Sequence, residues 1–332
     1  MSCYHPLRAW PIGTWPSGKP RYHVTADLTS PPHPGEVLVP CGKCIGCRLD
    51  YSREWANRCM CEAQYHDSSY FVTLTYDDIH VPRSWYSDPS TGEAYQALTL
   101  RKRDYTLFMK RLRRHFENDK IRFFAAGEYG SITYRPHYHA ILFGLHLDDL
   151  VPYKQQGEFI YYTSESLQRC WSVVQYSKGS KTPLFEPLGF VVVAPVSWET
   201  CAYVARYTAK KSNTFFPEFY KKFNLEAPFT VMSRKPGIGR QYYEDHKDVF
   251  DYQNICLPGK NGGLKFKPPR YFEKLLEVDQ PDKLEELKES RRMMAEDMEK
   301  AKKRLTSLYR IEQSAVDERK KEAQARMLRR EL

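Results

Sequence analysis

The sequence predicts an α+β fold in which helices flank a central antiparallel sheet. Two observations favour this class. Short runs rich in β-branched and aromatic residues alternate with segments whose apolar residues recur every three or four positions. Two of the strand-like runs are separated only by a loop with glycines and a proline, which is typical of a hairpin. With 332 residues, the chain is long enough to bury a sizeable core.

The strand candidates lie in the middle of the chain, at 70–76, 121–126, 137–143 and 189–194. The second and third are expected to pair as a hairpin, with the third inside the sheet rather than at its edge. Asp104 is expected to cap a basic amphipathic helix. Ser197 is expected to cap a further helix that continues through Lys211 and lies on one side of the sheet.

Composition divides the chain into three parts. Residues 1–66 form a Cys-rich segment, residues 67–257 form the mixed domain that holds the strand candidates, and residues 258–332 form a linker and a charged helical tail. The alternating charges of the tail are typical of a solvated helix or a coiled coil.

Basic residues exceed acidic ones, 51 against 41, which gives a formal net charge of +10. This excess favours a polyanionic partner, and the 14% of aromatic residues favour unpaired nucleotide bases. No apolar run approaches the roughly 18 residues of a membrane span, so no membrane partner is expected. The first residues lack the apolar stretch of a secretory signal, which predicts a reducing cytoplasm where cysteines are thiols or metal ligands.

A histidine pair is the most informative motif. His137 and His139 are two apart on a strand candidate, so both imidazoles are expected on one face of the sheet. Glu128, at the end of the preceding strand, can face them across the hairpin and add an oxygen ligand for Mg²⁺ or Mn²⁺. The alternative is that both histidines are satisfied by backbone partners, and a register slip of one residue would turn Glu128 away.

A tyrosine pair lies on the predicted helix. Tyr203 and Tyr207 are four residues apart and share a face, with Lys210 one turn further on. A phenol with a pKa of about 10 becomes a usable nucleophile beside a cation or a metal-polarised phosphate, which Lys210 and the metal can supply. The alternative is that both rings only pack the helix against the core.

The N-terminal segment carries a thiol cluster. Cys41, Cys44 and Cys47 follow one another at intervals of three, and Cys3 or His5 can complete the ligand set of a structural Zn²⁺. An iron–sulfur cluster fits less well, because the cysteine and proline that end the bacterial ferredoxin motif are missing. The other interpretation is a group of reduced, partly buried thiols.

Several basic residues are candidates for DNA backbone contacts. A turn at 232–240 is expected to seat phosphates near the site, and Arg122 is close to the motifs in sequence. The candidates singled out as DNA-binding are Arg135, Arg206, Lys211, Arg234 and Lys235.

Three segments occur in the order of the three motifs of HUH endonucleases, which they resemble: residues 71–76, residues 135–139, and the pattern Tyr203-x-x-x-Tyr207-x-x-Lys210. The two tyrosines and the cysteine-rich opening are similar to replication initiators of small single-stranded-DNA phages, particularly the gokushovirus branch of the microviruses. The resemblance covers about residues 1–250 and leaves the tail out.

The resemblance implies rolling-circle initiation at a single-stranded DNA origin in the host bacterial cytoplasm. A tyrosine, Tyr203 or Tyr207, would form a 5′-phosphotyrosine link and free a 3′-hydroxyl for the host replication machinery, with His137 and His139 binding Mg²⁺ or Mn²⁺. Tyr207 has the Tyr-x-x-Lys spacing of single-tyrosine relatives, so we expect it to cleave first. Other classes that fit part of the sequence are a non-catalytic zinc-containing nucleic-acid-binding protein and a relaxase or transposase with the same chemistry.

Overall fold

A computed structural model of the chain describes residues 3–88, 90–157, 159–176, 183–210, 217–259, 262–305 and 310–328. The chain separates into two compact units. One is Ser52–Phe272, and the other combines Met1–Tyr51 with Glu273–Leu332.

The elements are numbered in chain order. The strands of the described residues are β1 (Leu7–Thr14), β2 (Pro20–Thr25), β3 (Val37–Val39), β4 (Ser69–Thr75), β5 (Arg83–Ser87), β6 (Ala94–Leu98), β7 (Arg122–Tyr129), β8 (Pro136–Phe143), β9 (Val151–Gln156), β10 (Phe159–Thr163), β11 (Ser172–Tyr176), β12 (Pro183–Pro187), β13 (Val191–Pro195), β14 (Phe229–Met232), β15 (Ile255–Gly259) and β16 (Gly262–Phe266). The helices are α1 (Ile45–Ala63), α2 (Lys102–His115), α3 (Glu165–Cys170), α4 (Trp198–Lys210), α5 (Pro217–Lys222), α6 (Arg240–Asp245), α7 (Arg270–Asp279), α8 (Pro281–Leu305) and α9 (Arg310–Leu328), with a 3₁₀ turn at Lys247–Phe250.

Ser52–Phe272 is built on one antiparallel sheet, as predicted. Its described strands follow the order β14-β7-β8-β4-β13-β10-β9. The expected hairpin is β7–β8, and β8 lies inside the sheet between β7 and β4. The α+β prediction is therefore confirmed, and the strand with the histidine pair has neighbours on both edges.

The two faces of β8 differ in what covers them. Because side chains alternate along a strand, His137 and His139 share a face with Ile141, while Tyr138 points to the other side. Ile141 packs in a buried cluster with residues of α1 and α4, and Tyr138 packs in another with residues of α2 and the α3 region. Helices therefore flank both faces, and α4 lies on the face of the histidine pair.

The cap predicted for α2 is wrong. The helix begins after Arg101, which makes no side-chain cap, and Asp104 lies in its first turn. The first N–H group, of Lys102, donates instead to Glu226 Oε2 at 2.7 Å. Since this acceptor is distant in sequence, the helix starts earlier than the local pattern indicated.

The cap predicted for α4 is present. Ser197 Oγ accepts a hydrogen bond from the Thr200 N–H at 3.2 Å, which satisfies one of the free donors at the start of the helix. The helix is described as far as Lys210, and Lys211 lies outside the described residues.

A buried carboxylate holds α1 against the sheet. Glu62 forms an ion pair with Arg122 of β7 and accepts a hydrogen bond from the Gly239 N–H at 2.6 Å. Burial by itself would raise the pKa of Glu62, but its hydrogen bonds with His66, Gly239 and Arg122 outweigh it and lower the pKa. Arg122, expected as a phosphate contact, is thus engaged in the fold.

Beneath the histidine pair, Tyr138 anchors the start of α2. Its hydroxyl donates to the Arg101 carbonyl at 2.9 Å and lies 2.8 Å from the Tyr76 hydroxyl. Tyr105, whose ring is 5.8 Å from that of Tyr138, has a buried hydroxyl with no hydrogen-bond partner among the described residues.

We expect Tyr138→Phe to lower the free energy of unfolding by about 1–3 kcal/mol, because buried partners lose their bonds. Tyr105→Phe is the matched control and should be neutral or slightly stabilising, since it removes a hydroxyl that has no partner among the described residues. Urea unfolding of both variants measures the difference. Equal losses would contradict this account of the Tyr138 network.

The other unit contains a small sheet and the C-terminal helices. The sheet has the order β2-β1-β3, and the helices α8 and α9 follow the end of α7. His5 Nε2 lies 2.6 Å from Glu318 Oε2 of α9, so α9 contacts the N-terminal segment. The described part of the tail is helical, as expected. Among the described helices none has the length and apolar character to cross a bilayer.

Candidate active site

Strand register brings three potential metal ligands together. Glu128 pairs directly with His137 across the β7–β8 ladder, and Thr73 of β4 pairs with His139. Directly paired residues of antiparallel strands point to the same face. One ligand atom from each of Glu128, His137 and His139 lies within 4.8 Å of the others.

The three side chains are close enough to share one cation. Glu128 Oε1 lies 2.9 Å from His137 Nε2 and 3.2 Å from His139 Nε2. The side chains of Glu128 and His139 are only 4% and 7% exposed. The imidazole rings are 4.9 Å apart between centroids and meet edge to face.

Neighbouring groups orient both imidazoles. His137 Nδ1 lies 3.0 Å from the Arg135 carbonyl, which can only accept, so Nδ1 carries the hydrogen and Nε2 is the metal-facing atom. His139 Nδ1 lies 3.0 Å from Thr73 Oγ1, and the hydroxyl can accept in the same way. Such partners fix the tautomer and the orientation of metal-binding histidines.

The carboxylate is prepared for positive charge. Burial would raise the pKa of Glu128, but hydrogen bonds from His137 and His139 outweigh it, so the pKa lies below its ordinary value. Within the described part of the chain, Glu128 Oε2 is buried without a hydrogen-bond partner. Two nitrogens and a carboxylate with an unused oxygen fit a divalent cation.

Tyr203 of α4 lies directly beside these ligands. Its ring centroid is 5.0 Å from that of His139, in an edge-to-face contact, and 6.1 Å from that of Phe71. The guanidinium carbon of Arg206 is 5.6 Å from the centre of the Tyr203 ring. A cation therefore lies next to the phenol, and Arg206 rather than Lys210 is the one that the described side chains place there.

The remaining helix residues of the motif have less description. Tyr207 and Lys210 belong to the backbone of α4, but their side chains lie outside the described residues, as does all of Lys211. Their helical spacing from Tyr203 continues to predict that Tyr207 and Lys210 share its face.

The basic candidates lie in two places. Arg135 is next to the site, where its guanidinium bonds Asp78 at 2.6 Å and the Tyr76 carbonyl at 3.0 Å. Arg234 and Lys235 are exposed but follow β14, whose Met232 pairs with Phe124 near the far end of β7. The expectation that this turn lies near the site is wrong, since the length of β7 separates it from Glu128 by about 20 Å.

Sequence reasoning missed two neighbours of His139. Thr73 contacts its Nδ1, and the Phe71 ring stacks on the imidazole at 5.5 Å. Both lie in the strand candidate that forms the first motif, so their alternation was visible. The pairing of β4 with β8 was the missing fact.

The thiol cluster is a second candidate metal centre, in the other unit. One sulfur from each of Cys3, Cys41, Cys44 and Cys47 lies within 4.8 Å of the others, whereas His5 contacts Glu318. The sulfurs of Cys41 and Cys47 are 4.0 Å apart, and those of Cys3 and Cys44 are 3.9 Å apart. A tetrahedral zinc site with Zn–S bonds of about 2.3 Å requires sulfurs about 3.8 Å apart.

Backbone N–H groups point at these sulfurs. The N–H groups of Lys43 and Cys44 both lie 3.4 Å from Cys41 Sγ. Burial would raise the pKa of Cys41, but these donors lower it to about 7. The cluster thus favours the thiolate form that metal ions require. None of the nine cysteines, all of which are described, is in a disulfide.

Comparisons with known proteins agree with the site. Residues 69–212 match the family model described as replication-associated protein ORF2. The chain is 32% identical over 265 residues to the replication-associated protein ORF2 of Spiroplasma virus 4, a match that covers 77% of this chain and 74% of that protein. It is 30% identical over 297 residues to the replication-associated protein VP4 of Bdellovibrio phage phiMH2K, covering 85% and 79%.

A third relative, the replication-associated protein ORF4 of Chlamydia phage 1, is 26% identical over 272 residues, covering 77% of this chain and 56% of that protein. No solved structure matches the chain. The family match spans all three motifs, and the similarity to the Spiroplasma and Bdellovibrio phage proteins extends well beyond them. The chain therefore belongs to the ORF2 family of phage replication-associated proteins and is a replication initiator of the microvirus type.

Proposed function

We propose that this initiator is a metal-dependent DNA endonuclease and strand transferase that starts rolling-circle replication. The observation that carries the proposal is the contact between Tyr203 and His139. It puts a phenol beside the Glu128, His137 and His139 group on one face of the sheet. A buried carboxylate, two imidazoles and an adjacent phenol are the components of a phosphodiester transesterification site.

In the proposed reaction, a tyrosine Oη attacks the scissile phosphorus of single-stranded origin DNA. A new tyrosyl P–O bond forms while the P–O3′ bond breaks, and the departing 3′ oxygen takes up a proton to become a free hydroxyl. A Mg²⁺ or Mn²⁺ ion bound by Glu128, His137 and His139 would polarise the phosphate and stabilise negative charge on the departing oxygen. Arg206, next to the Tyr203 ring, favours the phenolate form of the attacking group.

Two tyrosines suit a reaction with two transfers. The first forms the 5′-phosphotyrosine link, and the second accepts the next strand after the host polymerase has extended the 3′-hydroxyl. Each transfer exchanges one phosphodiester for another, so rejoining into circular single-stranded DNA consumes no nucleotide. We propose that Tyr207 acts first and Tyr203 second, with Lys210 neutralising charge beside Tyr207.

The cysteine cluster is proposed to hold a structural Zn²⁺. Its four sulfurs have nearly the separations of a tetrahedral site, and closed sets of four thiolates are typical of structural zinc. The cluster and the active site lie in different units, so the zinc is assigned no part in the chemistry.

The proposed setting is the host bacterial cytoplasm, where the substrate is the origin and the host replication machinery uses the 3′ end. DNA contacts are proposed for Arg135 and Arg206, which lie beside the site, and also for Lys211, Arg234 and Lys235. The last two would contact DNA at a distance from the scissile phosphate.

The test is covalent capture. Full-length protein is incubated with circular single-stranded phage DNA and Mn²⁺ or Mg²⁺, and the 5′ end in any denaturation-resistant complex is mapped. We expect one adduct at a unique nucleotide, which disappears when Tyr203 and Tyr207 are both changed to phenylalanine.

Binding without any adduct would overturn the proposal and favour a non-catalytic zinc-containing nucleic-acid-binding protein. The single variants test the order. If Tyr207→Phe forms the first adduct at full yield, the assignment of Tyr207 as the first nucleophile is wrong.

A further inference from the structure

Four large apolar side chains are exposed beside the site. Ile79 and Ile132 are 85% and 89% exposed, and Trp85 and Tyr134 are 62% and 66% exposed. Ile79 lies in the β4–β5 loop and Trp85 in β5, whereas Ile132 and Tyr134 lie in the β7–β8 turn. Single exposed apolar residues are ordinary, but a group of four is typical of a binding surface. These four residues are named the exposed lip.

Arg135 joins the lip to the active site. Its guanidinium bonds Asp78 and the Tyr76 carbonyl, which ties the β7–β8 turn to the β4–β5 loop. Its own carbonyl accepts from His137 Nδ1 at 3.0 Å. The lip therefore begins within a few residues of the proposed metal ligands.

The turn that carries Tyr134 is strained. Tyr134 has a φ of 52°, in the left-handed region that a bulky side chain rarely adopts. Hydrogen bonds from the Gly130 N–H to the Arg135 carbonyl (3.0 Å) and from the Tyr134 N–H to the Gly130 carbonyl (3.1 Å) hold the turn closed. Strain of this kind is concentrated at ligand-binding and catalytic positions.

Positive charge accompanies the aromatic rings. Arg83 is two residues before Trp85 on β5, so both point to the same face of the hairpin, and its Nη2 donates to the Asp78 carbonyl at 3.2 Å. The Asp78 carboxylate partly neutralises Arg135, but it is largely exposed. A surface ion pair of this kind is weak enough for a phosphate to replace it.

We infer that the exposed lip binds the unpaired bases of single-stranded DNA next to the scissile phosphate. The inference rests on the proposed function and adds to it how the strand is held. Trp85 and Tyr134 stack on bases, Ile79 and Ile132 contact base faces, and Arg83 and Arg135 contact the flanking phosphates. Alternating aromatic and cationic groups fit a nucleic acid strand better than an apolar protein surface does.

The experiment measures affinity without added Mg²⁺ or Mn²⁺, so that no cleavage occurs. The probes are a labelled oligothymidylate of about 20 nucleotides and an abasic strand of equal length, followed by fluorescence anisotropy with full-length protein. Trp85→Ala and Tyr134→Ala should each weaken oligothymidylate binding by about 5- to 150-fold and abasic-strand binding by less than about twofold. Tyr252→Ala is the control, since Tyr252 is 72% exposed but belongs to neither loop of the lip, and it should change neither affinity.

A second measurement uses the unaltered chain, so it does not depend on how the variants fold. Single-stranded DNA with 5-iodouracil beside the nicking site should photocrosslink to Trp85 or Tyr134. The inference is overturned if both variants keep their affinity, if both probes weaken equally, or if crosslinks form only elsewhere. Retained affinity would instead favour a protein partner at the lip.

These outcomes are separable from those of the proposed function. If the unaltered chain forms no covalent adduct but the lip variants lose base-dependent affinity, the nicking proposal fails and the lip assignment stands. If adducts form normally and the lip variants bind as well as the unaltered chain, only the lip assignment fails.

Discussion

Glu128→Gln should lower the rate of covalent adduct formation by on the order of 10³-fold while the chain remains folded. Glutamine keeps the volume of the side chain, and its amide can still bond one of the two histidines. The negative charge that a divalent cation requires is lost. The group that remains, two imidazoles and a neutral amide, is a much poorer site for the oxygen-preferring Mg²⁺ or Mn²⁺.

Two measurements check this result: single-turnover adduct formation with excess protein, and Mn²⁺ binding by calorimetry. Both should decline together, whereas thermal unfolding should change little. Glu165→Gln is the matched control, because Glu165 is an exposed carboxylate on α3 whose bond is to Arg169. A Glu128→Gln protein that binds Mn²⁺ and forms adduct like the unaltered chain would rule out Glu128 as a ligand.

Cys44→Ser should release the proposed zinc and unfold the N-terminal segment around it. Cys44 is buried, and its sulfur accepts from the N–H groups of Tyr4 and Cys47 at 3.5 Å each. Structural zinc contributes about 10–16 kcal/mol of apparent binding free energy in small zinc domains, so its loss exceeds the stability of a typical fold. This is the largest stability effect we expect from a single substitution in the chain.

Elemental analysis should find one zinc per unaltered chain and none in Cys44→Ser, and limited proteolysis should cut the variant near its N-terminus. Cys256→Ser is the control, since Cys256 is an exposed thiol outside the cluster, and it should keep its zinc. Added Mg²⁺ should not restore the Cys44→Ser protein, because thiolates select softer ions. Full zinc content in Cys44→Ser would contradict the assignment.

Local patterns predicted a large part of the site. The shared face of His137 and His139 follows from the two-residue repeat of a strand, which does not depend on distant contacts. The hairpin followed from the short loop between two strand candidates, and it set Glu128 opposite His137. The position of Tyr203 on the same face as the histidines was expected from the resemblance, because one helix does not indicate which side of a sheet it covers.

Contacts between distant segments caused the failures. Asp104 is not the cap of α2, because Glu226 supplies the acceptor from more than one hundred residues away. The turn with Arg234 and Lys235 is far from Glu128, because the pairing of β14 with β7 carries it to the other end of the sheet. The exposed lip was not predicted at all, since its residues come from three separate segments.

The sequence by itself determined the fold class, the family, and the residues that share a face of β8 or of α4, because periodicity and motif order act over short stretches of chain. Only the tertiary structure decided that Cys3 completes the thiol cluster and that Arg206 lies beside Tyr203. It also decided that Arg135 ties two loops together next to His137. These contacts depend on which strands pair and on how helices pack against them, and packing of the whole core fixes those choices.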